Sequence, residues 1–321
     1  MRLAALFGLT LIVPGCRGAP ELPPLPELRK QNPASIARFV DADRAAREDR
    51  SADSVGRLGM LYHSYQVLDE ARRCYEIARE LEPADVRWVF YAAKVEKAAF
   101  RYEAGEALFL QALAASPADS ELLAELGDLY LMWGRADDAA LHFEKALGLE
   151  PLQPVAALGK ARLALLRQDW PEVTRILTPL LERHPRLSRA HQYLAAAYGA
   201  LGVEDKRALH QEEGQYGSAV ESTRMRELHD LAVDAILEGD PARGAELLQV
   251  KCARCHDHER IYDHDEERRW WARTVRRMQR EAGWDWLSDD EAASVVAYLA
   301  TRETSTRAEP GAGTRTRTPS R

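Results

Sequence analysis

The sequence predicts an all-α protein, a solenoid of stacked helix pairs followed by a smaller helical module. Three observations predict it. Pro83, Pro117, Pro151 and Pro185 stand 34 residues apart, and a column of small and large apolar residues recurs with the same offset. Beyond residue 239 both patterns stop, and a Cys-x-x-Cys-His run with Trp-rich flanks takes their place.

At 321 residues, with 46% apolar and 30% charged side chains, the chain has the composition of a folded protein with room for two domains. A formal net charge of −7 gives no overall basic surface for phosphates, which excludes nucleic acid as a partner of the whole molecule. The four cysteines, Cys16, Cys74, Cys252 and Cys255, are too few and too scattered for a disulfide-stapled scaffold. Each needs its own account.

Residues 1–15 carry one basic side chain and an apolar run from Leu3 to Val13 that is too short to span a bilayer, the pattern of a signal peptide. Its end, Val13-Pro14-Gly15-Cys16, resembles a bacterial lipobox, with Pro14 departing from the usual small or aliphatic residue. The resemblance implies that Cys16 becomes a lipid-modified N-terminus and that the protein is lipid-anchored in the cell envelope, periplasm-facing. An ordinary secretory signal and an uncleaved anchor are the alternatives, and all three place the chain outside the cytoplasm. Arg17 stands where an aspartate retains many lipoproteins at the inner membrane, which points to the outer membrane if the cell is Gram-negative. Residues 16–50 then read as a Pro-rich tether and a lead-in helix, the tether extended and holding the body off the membrane.

From 51 to 217 the 34-residue frame links Gly59, Ala93, Gly127 and Ala161; Ala71, Gly105, Ala139 and Val173; Tyr75, Phe109, Phe143 and Leu177; and Ala78, Ala112, Ala146 and Leu180. The best copy, with Leu126-Gly127, Tyr130, Gly134, Ala139, Phe143, Ala146 and Pro151, resembles the tetratricopeptide repeat. That resemblance implies pairs of antiparallel helices in a curved solenoid whose concave face binds a protein or peptide partner. Four copies cover about 52–187, and a degenerate fifth keeps Tyr198 and Gly202 but lacks a proline near 219. No clamp of basic residues stands out. Tyr62, Tyr130 and Tyr198 read as packing residues, and Cys74, beside Tyr75 and between Ala71 and Ala78, as a small buried apolar group.

Residues 218–239 read as one more helix, ended by Gly239 and Pro241, that either caps the solenoid or bridges to the next unit. The module of 240–302 contains Cys252, Cys255 and His256. A zinc site lacks a second Cys pair, with only His256 and His258 nearby, and a thioredoxin-like pair lacks its strand–helix surroundings. Haem attachment suits the spacing: two thiols three apart each reach a porphyrin vinyl group, and the histidine after the second is held beneath the iron.

The flanks strengthen this. Gly244, Leu247 and Leu248 before the motif, and a closing helix with Ser288 as N-cap, acidic residues 289–291 and Val295, Val296, Tyr298 and Leu299 as packing set, are similar to the ends of class I cytochromes c. The resemblance implies one covalent haem c on Cys252 and Cys255, His256 as proximal iron ligand and crossed terminal helices. It implies a methionine as distal ligand, for which Met278 stands alone in position; His264, His258 and an open site are the alternatives. Trp271, Val275 and Met278 also form an amphipathic helical stripe for which core packing is a sufficient reason. Four tryptophans, Trp270, Trp271, Trp284 and Trp286, are candidates to wall the porphyrin. Residues 303–321 have the composition of a disordered tail.

The expected function is extracytoplasmic electron transfer, with the solenoid docking a protein partner, itself a redox protein, and no catalysis by the chain alone. A tetratricopeptide envelope scaffold, assembly or sensor protein and a small peroxidase-like haem enzyme are the rival readings.

Overall fold

The structure is a computed structural model and describes residues 21–25, 33–216, 223–252, 267–282 and 286–307. After a lead-in helix α1 (Pro33–Asp49), five helix pairs follow: α2 (Ala52–Ser64) with α3 (Leu68–Leu81), α4 (Val86–Ala98) with α5 (Tyr102–Ala115), α6 (Ser120–Met132) with α7 (Ala136–Leu149), α8 (Pro154–Leu166) with α9 (Trp170–Arg183), and α10 (Ser188–Ala200) with α11 (Glu204–Tyr216). Every first helix begins 34 residues after the previous one, and so does every second helix. The fifth copy, degenerate in sequence, keeps the frame.

Local chemistry sets these boundaries. Ser51, Asp85, Asp119 and Gln153 cap the first helices of the first four pairs by accepting backbone N–H bonds within the first turn. Each first helix ends in a left-handed residue, at Gln66, Phe100, Gly134, Gln168 and Gly202. The next N–H then reaches back five residues, as from Arg101 to the Glu96 carbonyl and from Arg135 to that of Tyr130, the hydrogen bond that turns the chain into the second helix. The pairs are fastened by aromatic side chains in gaps left by missing Cβ atoms. Phe143 is fully buried, and a Cβ on Gly127 or Gly159 would lie 2.7 or 2.1 Å from its ring, so one phenyl locks its own pair to the next.

Successive first helices touch, α2 with α4, α6 with α8 and α8 with α10, and no comparable contact joins successive second helices among the described residues. The stack therefore curves toward the first helices, which line its inner face.

Beyond α11 the described chain resumes at residue 223. Helix α12 (Thr223–Val233) returns to the inner face and lies against α2. Its Leu228 and Ala232 are buried in the core of the first three pairs, while Val233 and, in the 3-10 turn that follows, Ile236 belong to the core of the C-terminal module. Among the described residues that module comprises α13 (Pro241–Val250), α14 (Arg268–Ala282) and α15 (Asp289–Arg307).

Two expectations change at the termini. Leu22 and Pro23, assigned to an extended tether, are buried, and Arg47 donates to the Pro23 carbonyl at 3.0 Å; an apolar residue in a Pro-rich stretch finds the groove beside α1 better than water. Helix α15 continues to Arg307, because nothing before Pro310 breaks it.

Phe100 is the least suited of the five left-handed residues, since it is bulky and 68% exposed. Phe100→Gly is expected to raise stability by about 0.5–1 kcal/mol, and Gly134→Ala to lower it by about 1 kcal/mol, in urea unfolding followed by circular dichroism.

Candidate functional site

Two regions concentrate chemistry: the inner face of the solenoid and the core around Cys252.

On the inner face, helix α12 covers the first three pairs. Arg224 pairs with Asp119 at 2.6 Å and Glu121 at 3.1 Å and lies 4.9 Å above the Phe90 ring, and the Tyr91 hydroxyl donates to its carbonyl at 3.0 Å. Beneath the same helix, His63 is buried and pushed down to about 3, by burial first and then by the charges of Lys94 and His229. It stays neutral, its Nδ1 3.4 Å from the Tyr75 hydroxyl.

Beyond α12 the inner face opens into a cavity of about 460 Å3. Lys94 and Lys97 of α4 reach across to α6, where Glu125 takes a bond from each, at 2.7 and 2.5 Å, and Asp128 takes a second from Lys97 at 2.7 Å. Burial raises the cost of the Glu125 charge, but the two ammonium groups outweigh it and hold the carboxyl down at about 2. The far wall carries Arg162 of α8 and Arg189 and Tyr193 of α10. Both arginines are exposed, and neither has a carboxylate partner among the described residues.

The sequence reading found no basic clamp, because these residues stand on separate helices. The repeat frame held the signal: Lys94, Asp128 and Arg162 occupy one 34-residue column, and Glu121, Val155 and Arg189 another. Tyr62 and Tyr130 are buried packing residues, as read, and Cys74 is buried with its thiol pushed up to about 12 by burial. Two histidines that stand 19 residues apart, His191 and His210, are brought together with their Nδ1 atoms 2.9 Å apart.

In the C-terminal module α13 crosses α15 at Gly244, where a Cβ would lie 2.0 Å from the Ser294 carbonyl oxygen and 2.8 Å from the Tyr298 Cβ. Only hydrogen fits there. Ser288 caps α15 with a reciprocal pair of bonds, the Glu291 N–H to its Oγ and its own N–H to the Glu291 carboxylate. Lys251, at the end of α13, donates to that carboxylate and to the Trp286 carbonyl, both at 2.7 Å.

Cys252 follows directly and is buried in a core with Trp271, Val275, Leu287, Val295, Val296 and Leu299. The indole N–H of Trp271 is buried and has no hydrogen-bond partner among the described residues. Met278 sits on α14, half-exposed and not packed on that core. Cys16, Cys255, His256, His258, His264 and Trp284 lie outside the described residues. Among the described residues, the buried Cys252 thiol at a helix end, the apolar wall and the Trp271 N–H without a partner are chemically compatible with a covalently attached haem.

A buried network joins the module to the start of the chain. Arg276 bonds the Asp289 carboxylate, the Ala232 carbonyl at 3.0 Å and the Tyr65 hydroxyl at 3.2 Å, and Ser35 of α1 donates to Asp289 at 2.5 Å. Arg273 grips Asp230 of α12 with two bonds at 2.7 and 2.8 Å.

No protein-family model matches the chain, and no curated protein matches it. Among solved structures it is similar to a chain of the APC/C hetero-tetramer Cut9–Hcn1, at 14% identity and a TM-score of 0.51 over 56% of this chain and 36% of that one. The fold is a tetratricopeptide-like solenoid. Two further matches are a tetratricopeptide repeat protein from Parabacteroides merdae (17% identity, TM-score 0.49, 84% of this chain and 92% of that one) and Pseudomonas aeruginosa PilF (18%, 0.47, 61% and 97%). The chain spans about a third of the Cut9–Hcn1 chain it matches.

Because the folded state holds His63 neutral, the unfolded chain binds one more proton below about pH 6.5, so stability present above that pH is lost as pH falls toward about 3. Unfolding free energy measured by urea titration is expected to drop between pH 6 and pH 5 more steeply in the native chain than in His63→Gln, by up to about 1.4 kcal/mol per pH unit.

Proposed function

We propose that the chain is an exported electron-transfer protein in which the tetratricopeptide-like solenoid docks a protein partner and the C-terminal module carries one covalent haem c. Cys252 and Cys255 are the attachment residues, His256 the proximal iron ligand and Met278 the distal one, with His264 as the alternative. Cys16 carries the lipid anchor in the cell envelope, facing the periplasm. The work is that of a carrier and docking protein, not a catalyst.

The observation that carries this reading is the crossing of α13 and α15 at Gly244, which brings the helix leading into the Cys252 motif against the closing helix. Bound there, haem supplies a one-electron couple whose potential depends on its axial ligands, its burial and nearby hydrogen bonds. The chain's own residues do the rest. Val275, Val295, Val296 and Leu299 keep water from the Cys252 side, and Trp271 offers its buried N–H. Arg276 and Asp289 hold α14 and α15 on α2 and α12, so the module has one orientation relative to the docking face.

A second reading, an envelope scaffold or sensor with an open iron site, is favoured by the position of Met278, half-exposed and away from the core that contains Cys252.

The test is an oxidised and dithionite-reduced optical spectrum of protein made in a host with c-type haem maturation, together with a haem-stained denaturing gel. The expected result is a sharp reduced α-band, with haem that survives the gel and is lost in Cys252→Ala. Absence of covalent haem, while a control cytochrome matures, refutes the reading. Loss of the far-red methionine–iron band of the oxidised protein in Met278→Ala assigns the distal ligand; absence of that band in the native chain favours His264 or the open site.

A further inference from the structure

The inner face has two halves of opposite sign. Asp119 and Glu121 make one half acidic, and Arg224 of the chain's own helix α12 fills it. The other half is the open cavity, where Lys94 and Lys97 are already neutralised by Glu125 and Asp128, and Arg162 and Arg189, on neighbouring helices, have no carboxylate partner among the described residues. Between them lie apolar surfaces of Val155 and Leu158 and the ring of Tyr193. The cavity, about 460 Å3, is the size of an ordinary ligand pocket.

We propose that this open half is a binding site for an acidic segment of a partner protein, with Arg162 and Arg189 gripping carboxylates while Val155, Leu158 and Tyr193 pack against the apolar side chains between them. The occupied half demonstrates the mode in mirror image: an arginine from α12 meets two carboxylates beside an aromatic ring, and the open half offers two arginines beside another. Guanidinium groups suit carboxylates because their planar donors bind both oxygens at once. The fixed Lys94–Glu125–Lys97 cluster adds a rigid polar floor that needs no rearrangement when the segment enters. This names the partner chemistry of the docking face proposed above and rests on that part of the reading alone, not on the haem.

The experiment measures fluorescence anisotropy of a fluorescein-labelled peptide, Leu-Glu-Glu-Leu-Asp-Glu, against the full-length protein as purified, with the Gln/Asn version of the same peptide as control. The expected result is saturable binding of the acidic peptide at least about tenfold tighter than its amide version, weakened by raised salt. The double variant Arg162→Glu/Arg189→Glu is expected to weaken it by about tenfold or more. Reversal at the exposed Arg183 of α9, outside the cavity lining, is expected to leave it unchanged. Circular dichroism establishes that the variants are folded, since both cavity arginines are exposed. Equal binding of the two peptides, insensitivity to the double variant, or displacement by millimolar inorganic phosphate as readily as by unlabelled peptide overturns the proposal. A missing haem spectrum with peptide binding intact refutes the electron-transfer reading and leaves this one standing.

Discussion

The seating of α12 on the inner face is the constraint on which the rest of the structure depends. A solenoid helix pair cannot bury both of its faces alone, and the inner surface of the stack is where its unburied apolar area collects. Here Leu228 and Ala232 cover that surface at the first three pairs, and the same short helix delivers Val233 to a second core. One helix thus belongs to two hydrophobic cores. Truncating a residue such as Leu228 removes packing worth about 2–5 kcal/mol, and the loss falls on the junction itself.

Polar contacts give that junction its geometry. Arg276 and Asp289 are nearly fully buried, and such a pair gains little net stability over an apolar replacement, because desolvation offsets most of the attraction. What it supplies is direction. The guanidinium reaches a carboxylate on α15, a carbonyl on α12 and the hydroxyl of Tyr65 at the end of α2, so the relative placement of three elements is specified by one side chain. Arg273 on Asp230 and Arg38 on Asp234 repeat the pattern at the surface, where each pair is worth less.

Much of the architecture was legible. The proline spacing and the small–large columns located every helix pair, because a solenoid is made of local contacts repeated at one period. Ser288 was readable as a cap because its partner stands three residues away. What escaped depended on distance in sequence. Nothing in residues 223–233 marks the helix as a lodger in its own groove, since an amphipathic helix looks alike wherever its apolar face is buried. The inner-face cations were hidden for the opposite reason: Lys94, Arg162 and Arg189 look like ordinary exposed residues until three helices are stacked. At Phe100 the frame calls for glycine, and the bulky residue found there shows that the surrounding turn, with its bond from Arg101 to Glu96, determines the backbone over local preference. The Cys252 core was legible in outline, and its proposed iron ligand on the helix side, Met278, was the residue for which periodicity already offered a second reason.

The hydrogen bond between Ser35 and Asp289 closes a loop of 254 residues. Repeat arrays ordinarily lose structure from either end, because each terminal unit has one neighbour instead of two. In this chain the first pair has been given a second neighbour by the last helices, and no comparable helix contact reaches α11 among the described residues. The symmetry between the two ends is broken: the first pair is held by a contact distant in sequence, and that return contact should be the last to form during folding. Closing so long a loop costs only about 2 kcal/mol more than closing one repeat, since the penalty grows with the logarithm of length. A chain that ties its end to its beginning has thereby turned an open stack into something nearer a ring, with a single seam.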